Sequence, residues 1–216
     1  MNYLIRHTVA PFVCKKCHLT IAFFAFALSS LSAQKHYAGI SLSSGLSGIE
    51  FTNSAGESLD YSKSLSNSWA AVYMFKSNSF MAEGRLGFDN LKSNFNGTSV
   101  NTSVSMDFIR TSVLGSYLLL KGPLKIKLGL GLSAGKIVAG QQVTNGKSNN
   151  IMDSKAYNSI DFGGLGEAGL VLEASEIINV QLTYFYRKGL NNLEANSSSS
   201  TKTISNGIQA SVLFSF

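Results

Sequence analysis

The strongest pattern along this chain is an alternation of apolar and polar positions with a period of two. Residues 124–135 read LKIKLGLGLSAG, with Leu124, Ile126, Leu128, Leu130 and Leu132 on one side and Lys125, Lys127, Gly129, Gly131 and Ser133 on the other. Successive side chains of a strand point to opposite faces, so such a run predicts a sheet with two unlike surfaces. The pattern returns seven more times after residue 33, at about 36–51, 66–76, 80–90, 105–120, 159–173, 177–188 and 205–216. On each strand the large aliphatic and aromatic residues gather on the face without charge. Trp69, Ala71, Tyr73 and Phe75 form one such face, and Ile178, Val180, Leu182, Tyr184 and Tyr186 another. The opposite faces mix Gly and Ser with acids and bases. No segment beyond residue 33 makes a good amphipathic helix.

The connections alternate as well. Residues 77–79, 121–122 and 174–176 are short enough for tight turns, whereas 52–65, 91–104, 139–157 and 189–204 read as long polar loops rich in Ser, Asn, Gly and Lys. Short turns at one end and long loops at the other describe an outer-membrane barrel. The predicted fold is therefore all-β: an eight-stranded antiparallel up-and-down transmembrane β-barrel over residues 34–216. A strand of about 9 to 11 residues suffices to cross a bilayer at a tilt. A secreted, soluble lipocalin-like barrel is the alternative, and it calls for more charge on the outward faces of its strands.

Residues 1–33 read as a signal peptide. Basic residues precede the uncharged run from Leu19 to Leu28, and the small residues Ser29-Ser30-Leu31-Ser32-Ala33 follow it. The run is too short for a transmembrane helix. Cleavage is expected after Ala33, leaving Gln34 as the first mature residue. This segment also changes the meaning of the charge. The chain has 18 basic and 12 acidic residues, a formal +6. Arg6, Lys15 and Lys16 lie in the leader, which leaves 15 basic and 12 acidic residues after it. A net charge so small, on a chain only 14% charged, gives no case for nucleic-acid binding. Hydrophobic content of 44% argues against disorder.

Three sequence motifs suggest chemistry that their positions oppose. Cys14-Lys15-Lys16-Cys17-His18 matches the c-type haem attachment pattern, but it precedes the hydrophobic run and is removed with it. The mature chain then has no cysteine, which suits an oxidising compartment without disulfides. Gly164-Leu165-Gly166-Glu167-Ala168-Gly169 matches a dinucleotide fingerprint, yet it lies within a predicted strand with another strand after it, where a helix would be needed. His36 is the one histidine of the mature chain and has no acid beside it in sequence, so no Ser-His or Asp-His catalysis is predicted. No cofactor, metal site or enzymatic activity is expected. The residues that stand out are charges on the inward faces: Glu83, Arg85, Asp89, Arg110, Glu167 and Arg187. An eight-stranded barrel has a bore that side chains just fill. These charges are therefore expected to pair as a plug, the alternative being a narrow ion path.

Several segments resemble the small outer-membrane β-barrel proteins of Bacteroidetes, the group that includes the PorT-like proteins. They are Leu31-Ser32-Ala33-Gln34, Tyr117-Leu118-Leu119-Leu120-Lys121, Lys127-Leu128-Gly129-Leu130-Gly131 and Asp161-Phe162-Gly163. Tyr186-Arg187-Lys188-Gly189-Leu190-Asn191-Asn192-Leu193 is similar to the Tyr-x-x-Gly-Leu-x-Asn-Ile segment that ends the family's seventh strand. The chain departs from the family at Phe108-Ile109-Arg110-Thr111, where a proline often follows Leu-Glu-Ile. The resemblance implies a barrel in the cell outer membrane and no particular activity. The expected role is a non-enzymatic one in envelope structure or in contacts made through the long loops. A narrow porin-like channel and a PorT-like accessory of protein secretion are the alternatives. Outer-membrane lipid, the barrel-insertion machinery and an envelope or extracellular protein are the expected partners of a monomer. The last strand, with Phe214 and the terminal Phe216, is expected to carry the signal for insertion.

Overall fold

The computed structural model describes residues 35–59, 61–96, 101–154, 157–194 and 199–216. The expected leader, with Cys14 and Cys17, and the expected mature N-terminus Gln34 lie outside the described residues. The elements in chain order are β1 (Lys35–Thr52), β2 (Ser58–Leu59), β3 (Ser62–Ser77), β4 (Phe80–Asn96), β5 (Asn101–Leu119), β6 (Leu124–Thr144), β7 (Lys147–Asn150), α1 (Ile151–Ser154), β8 (Ile160–Glu173), β9 (Ile178–Gly189) and β10 (Ser200–Ser215).

Eight of these strands form a ring in the order β1, β3, β4, β5, β6, β8, β9, β10, each antiparallel to its neighbours. The ring closes because β10 also pairs with β1, from Tyr37 opposite Ser215 to Thr52 opposite Ser200. At this seam Gly45 faces Gly207, and the backbones lie so close that a Cβ on Gly45 would run into the Asn206 carbonyl. Among the described residues the small strands β2 and β7 pair with β1 and β6 respectively. Tight turns join the strands at the end that holds both termini of the ring. Asn78 and Gly122 adopt positive φ there (51° and 111°), as short hairpins require.

The orientation of the faces follows the sequence pattern. Ile40, Leu42, Trp69, Leu86, Val113 and Leu130 point outward and are exposed, while Ser41, Arg85, Ser116 and Lys127 are buried in the lumen. The Gly164–Gly169 run lies inside β8 and is followed by β9, with no helix.

Two expectations are corrected. The first concerns strand length, because the hairpins opposite the tight turns are far longer than a bilayer crossing. β4 and β5 stay paired up to Asn96 and Asn101, so most of the expected loop at 91–104 is strand. β6 continues to Thr144 and returns as β7, which turns most of the expected loop at 139–157 into a hairpin capped by α1. The reason is that backbone pairing continues wherever two chains run side by side, whatever the side chains do.

The second correction concerns what faces inward. Along β5 the outward residues near the tight turns are Tyr117 and Val113, with Ser116 and Arg110 inside. Further along, Phe108, Met106 and Val104 point inward and are buried, whereas Asp107 and Ser103 point out. The alternation keeps its phase and reverses its sense. Beyond lipid, water covers the outside, so the apolar side chains pack in the interior as they would in a soluble barrel. Ile49, Leu91, Val104, Met106, Phe108, Ile137, Ile151 and Leu193 form this apolar cap at the loop end. A second apolar layer, Tyr37, Val72, Met74, Met81, Leu118, Val171 and Leu213, fills the lumen toward the tight turns. The two larger charged groups of the interior thus lie between these apolar layers.

Candidate functional site

The candidate site is this middle section of the lumen. β4 supplies Glu83, Arg85 and Asp89 at inward positions, and the facing strands supply the opposite charges. In the tier nearer the tight turns, Arg85 donates through Nη2 to Glu83 Oε2 at 2.5 Å and to Glu167 Oε2 at 2.9 Å, and through Nη1 to Gln209 Oε1 at 3.2 Å. Its Nη1 also pairs with Glu167 Oε1. Lys127 reaches the same carboxylates from β6, donating to Glu83 Oε1 at 2.5 Å and Glu167 Oε2 at 3.2 Å, with a third bond to Gln181 Oε1 at 2.9 Å. Two acids and two bases therefore share one compact set of bonds. The Lys127 side chain is 0% exposed. A buried charge persists only when its partner and its hydrogen bonds are both in place, and here they are.

The second tier lies toward the loop end. Arg110 on β5 donates through Nε to Asp89 Oδ2 at 3.0 Å, and its Nη2 lies 2.9 Å from Asp161 Oδ2. Arg187 on β9 also donates to Asp89. Thr203 on β10 donates to both Asp161 oxygens, at 3.2 and 3.0 Å. The Arg110 guanidinium sits 4.8 Å from the centroid of the Phe108 ring, which joins this tier to the apolar cap. A smaller group closes the tight-turn end, where Lys125 Nζ lies 2.6 Å from Glu173 Oε1 and Lys76 pairs with the same carboxylate.

All six charges singled out from the sequence point into the lumen. Glu83, Arg85 and Glu167 meet in one tier, and Asp89, Arg110 and Arg187 in the other. Lys127 and Asp161 complete the tiers and were absent from that set, although both occupy inward positions of the alternation. Parity was therefore enough to find them; the partner that each one takes was not. The Gly189–Leu193 segment has its own structural task. The side-chain oxygen of Asn191 accepts from the Phe162 amide at 2.6 Å, that of Asn192 accepts from the Thr201 amide at 2.7 Å, and Leu193 is buried in the cap. The segment thus ties the end of β9 over the mouth of the ring.

Outside, Phe214 lies on the lipid-side face of β10. Phe216 follows the strand and is 79% exposed, with its ring centroid 6.3 Å from that of His36 and 6.4 Å from that of Tyr73. His36 Nδ1 is 2.7 Å from the Tyr73 hydroxyl. These rings form an aromatic patch at the tight-turn rim, where amphipathic rings suit a membrane interface. The outward apolar band runs around a ring with no unpaired edge, the condition for a sheet in hydrocarbon. The protein is a transmembrane β-barrel, and barrels of this kind reside in outer membranes.

No family model matches the chain, and no curated protein sequence does. Among solved structures it is similar to the outer membrane protein OprG from Pseudomonas aeruginosa, with 11% identity over 85% of this chain and 95% of that one and a TM-score of 0.48. It is also similar to Neisserial surface protein A, with 12% identity over 81% and 95% and a TM-score of 0.43. Ail, the attachment invasion locus protein of Yersinia pestis, shows 14% identity over 83% and 99% and a TM-score of 0.42. These are likenesses of overall form between very different sequences.

Proposed function

We propose that the protein is a plugged, non-conducting outer-membrane barrel that serves the cell envelope structurally or through its long loop-end hairpins. The observation that carries this reading is the filling of the lumen. Two tiers of mutually bonded charges lie between two apolar layers, and the tight-turn end is closed by a further ion-pair group. Ion conduction needs a continuous wet path, and each of these layers would have to part to make one. The direct test is planar-bilayer recording on the purified mature barrel. No sustained current is expected, and steady single-channel conductance would favour the narrow-channel reading instead.

A finer reading makes the chain a PorT-like accessory of protein secretion. It rests only on the resemblance of sequence segments to that family, chiefly Tyr186–Leu193 at the end of β9. Co-purification of a tagged barrel with secretion-machinery proteins checks it, and recovery of the barrel without them leaves the plain envelope role.

A further inference from the structure

The lipid-side face of the ring carries a furrow. On β8 the outward positions Gly164, Gly166 and Ala168 have little or no side chain. Gly166 and Ala168 floor a groove walled by Leu128 and Leu130 of β6 on one side and by Tyr184 and Tyr186 of β9 on the other. Leu130 is 79% exposed, because its register neighbours on β5 and β8 are Gly115 and Gly166. The Tyr184 hydroxyl accepts from Asn206 Nδ2 of β10 at 3.1 Å, which draws that side chain away from β8 and keeps the furrow open. A Cβ added at Gly164 would meet nothing within 4 Å, and one at Gly166 would meet only Leu130 Cδ2 at 3.8 Å. Neither glycine has a positive φ. Packing within the barrel therefore does not demand glycine at these positions, and the space they leave is open to the membrane.

Charge marks one end of the furrow. The outward side chains of β6, β8 and β9 include two charges, Lys136 on β6 and Lys188 on β9, the two strands that flank β8. Both lysines lie toward the loop end of their strands, beyond the apolar run. The Lys136 ammonium has no partner among the described residues. Lys188 Nζ lies 2.8 Å from Glu50 Oε2 in a half-exposed pair, and an ammonium has two further donors to give. An apolar furrow topped by two cations fits a lipid whose acyl chain enters the furrow and whose anionic headgroup meets the lysines. The long hairpins of such barrels face the cell exterior, so this end lies in the outer leaflet. A second copy of the chain fits worse. Two-fold pairing through β8 would set Lys136 of one copy against Lys188 of the other, and the leucine ridge against the tyrosine ridge.

We propose that β6, β8 and β9 bind a phosphorylated glycolipid of the outer leaflet, of the lipid A class. One acyl chain lies over Gly164, Gly166 and Ala168, and a phosphate lies between Lys136 and Lys188. The inference goes beyond the plugged-envelope reading and depends only on the barrel's span of the membrane, so it holds whether or not the lumen conducts.

The test titrates the full mature barrel in detergent micelles with lipid A, with lipid A stripped of its phosphates, and with phosphatidylglycerol. Thermal unfolding is followed by heat-modifiable gel mobility. At about ten times its dissociation constant, lipid A should raise the midpoint by roughly 3 to 6 °C. It should bind at least about tenfold more tightly than the dephosphorylated form. The double variant Lys136→Gln, Lys188→Gln should erase that preference. Gly166→Val has room in the wall and suits a strand, so it should fold while weakening both glycolipids about tenfold. Equal binding of the phosphorylated and dephosphorylated forms would mean ordinary boundary lipid and would overturn the proposal. Phosphatidylglycerol binding as tightly as lipid A would overturn the assignment to a glycolipid. Titrations unchanged in both variants would place the site elsewhere and overturn it too. A cross-linked dimer that Gly166→Val abolishes would make the furrow a contact between copies, with the same consequence.

Discussion

Lys127 carries a positive charge on a side chain with 0% exposure, inside a structure that spans a membrane. Its three bonds, to Glu83, Glu167 and Gln181, explain how the charge is kept. Arg85 binds the same two acids, so each carboxylate is shared between two cations. Removing one member leaves the others buried and under-bonded, and breaking a buried pair in this way costs about 3 to 5 kcal/mol. Arg85→Ala and Glu167→Ala should each destabilise the barrel by roughly that amount. Lys147→Ala, at an exposed position of β7, should stay within about 0.5 kcal/mol of the parent. Urea unfolding in lipid vesicles measures all three. Equal stability of the lumen variants and the parent would show that the network does not hold the barrel together.

At the scale of the element, single strands serve two solvents. The part of β5 near the tight turns presents Tyr117 and Val113 to lipid, and the loop-end part presents Asp107 and Ser103 to water over an apolar interior. The loop-end cap is completed by Leu193 and Ile151, with Tyr157 packed against it. Burial, with the neighbouring Tyr61 and Glu194, pushes the Tyr157 phenol up from its ordinary 10.0 to about 12. The folded state therefore holds that proton more tightly than the unfolded chain does. The stability this contributes is complete below pH 10 and is lost as pH rises through about 12. Tyr157→Phe should remove that contribution, giving a flatter decline in stability over this range. Alkaline unfolding followed by tyrosinate absorbance checks it, and identical profiles for variant and parent would rule the group out. β10 offers a second test at this scale. It alternates regularly and is followed by the exposed Phe216, the pattern expected of an insertion signal. Deleting Phe216 should sharply lower the yield of folded barrel in the membrane, as read by heat-modifiable gel mobility. Unchanged yield would show that the terminal ring is dispensable.

At the scale of the whole molecule, closure makes the architecture tenable. The β1–β10 seam removes the last two edges, and the interior layers then form from side chains of strands far apart in sequence. Arg85 and Glu167 are 82 positions apart, and Arg85 and Gln209 are 124 apart. With an apolar band outside and a filled interior, the barrel should fractionate with the outer membrane, and mass spectrometry of the purified protein should show a chain starting at Gln34. Recovery from the soluble periplasm, or with residues 1–33 still attached, would contradict this.

Period-two patterning by itself determined the eight strands of the ring, the facing of their lipid-side parts and the parity of the inward charges, because side-chain parity in a strand is a local property of the backbone. It determined the tight turns for the same reason, since Asn78 and the Lys121-Gly122 step carry their own conformational preferences. Where the strands end was not readable, because the sense of the alternation reverses at the edge of the lipid and polar hairpins such as β4–β5 look like loops. Nor were the two apolar layers, whose members, such as Met74 and Leu213 or Leu91 and Ile137, lie on separate strands with no shared local signal. Which acid meets which base was decided only by the tertiary structure. Parity puts Glu83, Lys127, Asp161 and Arg110 in the lumen, but the stagger of the closed ring sets their heights, and height selects the partners.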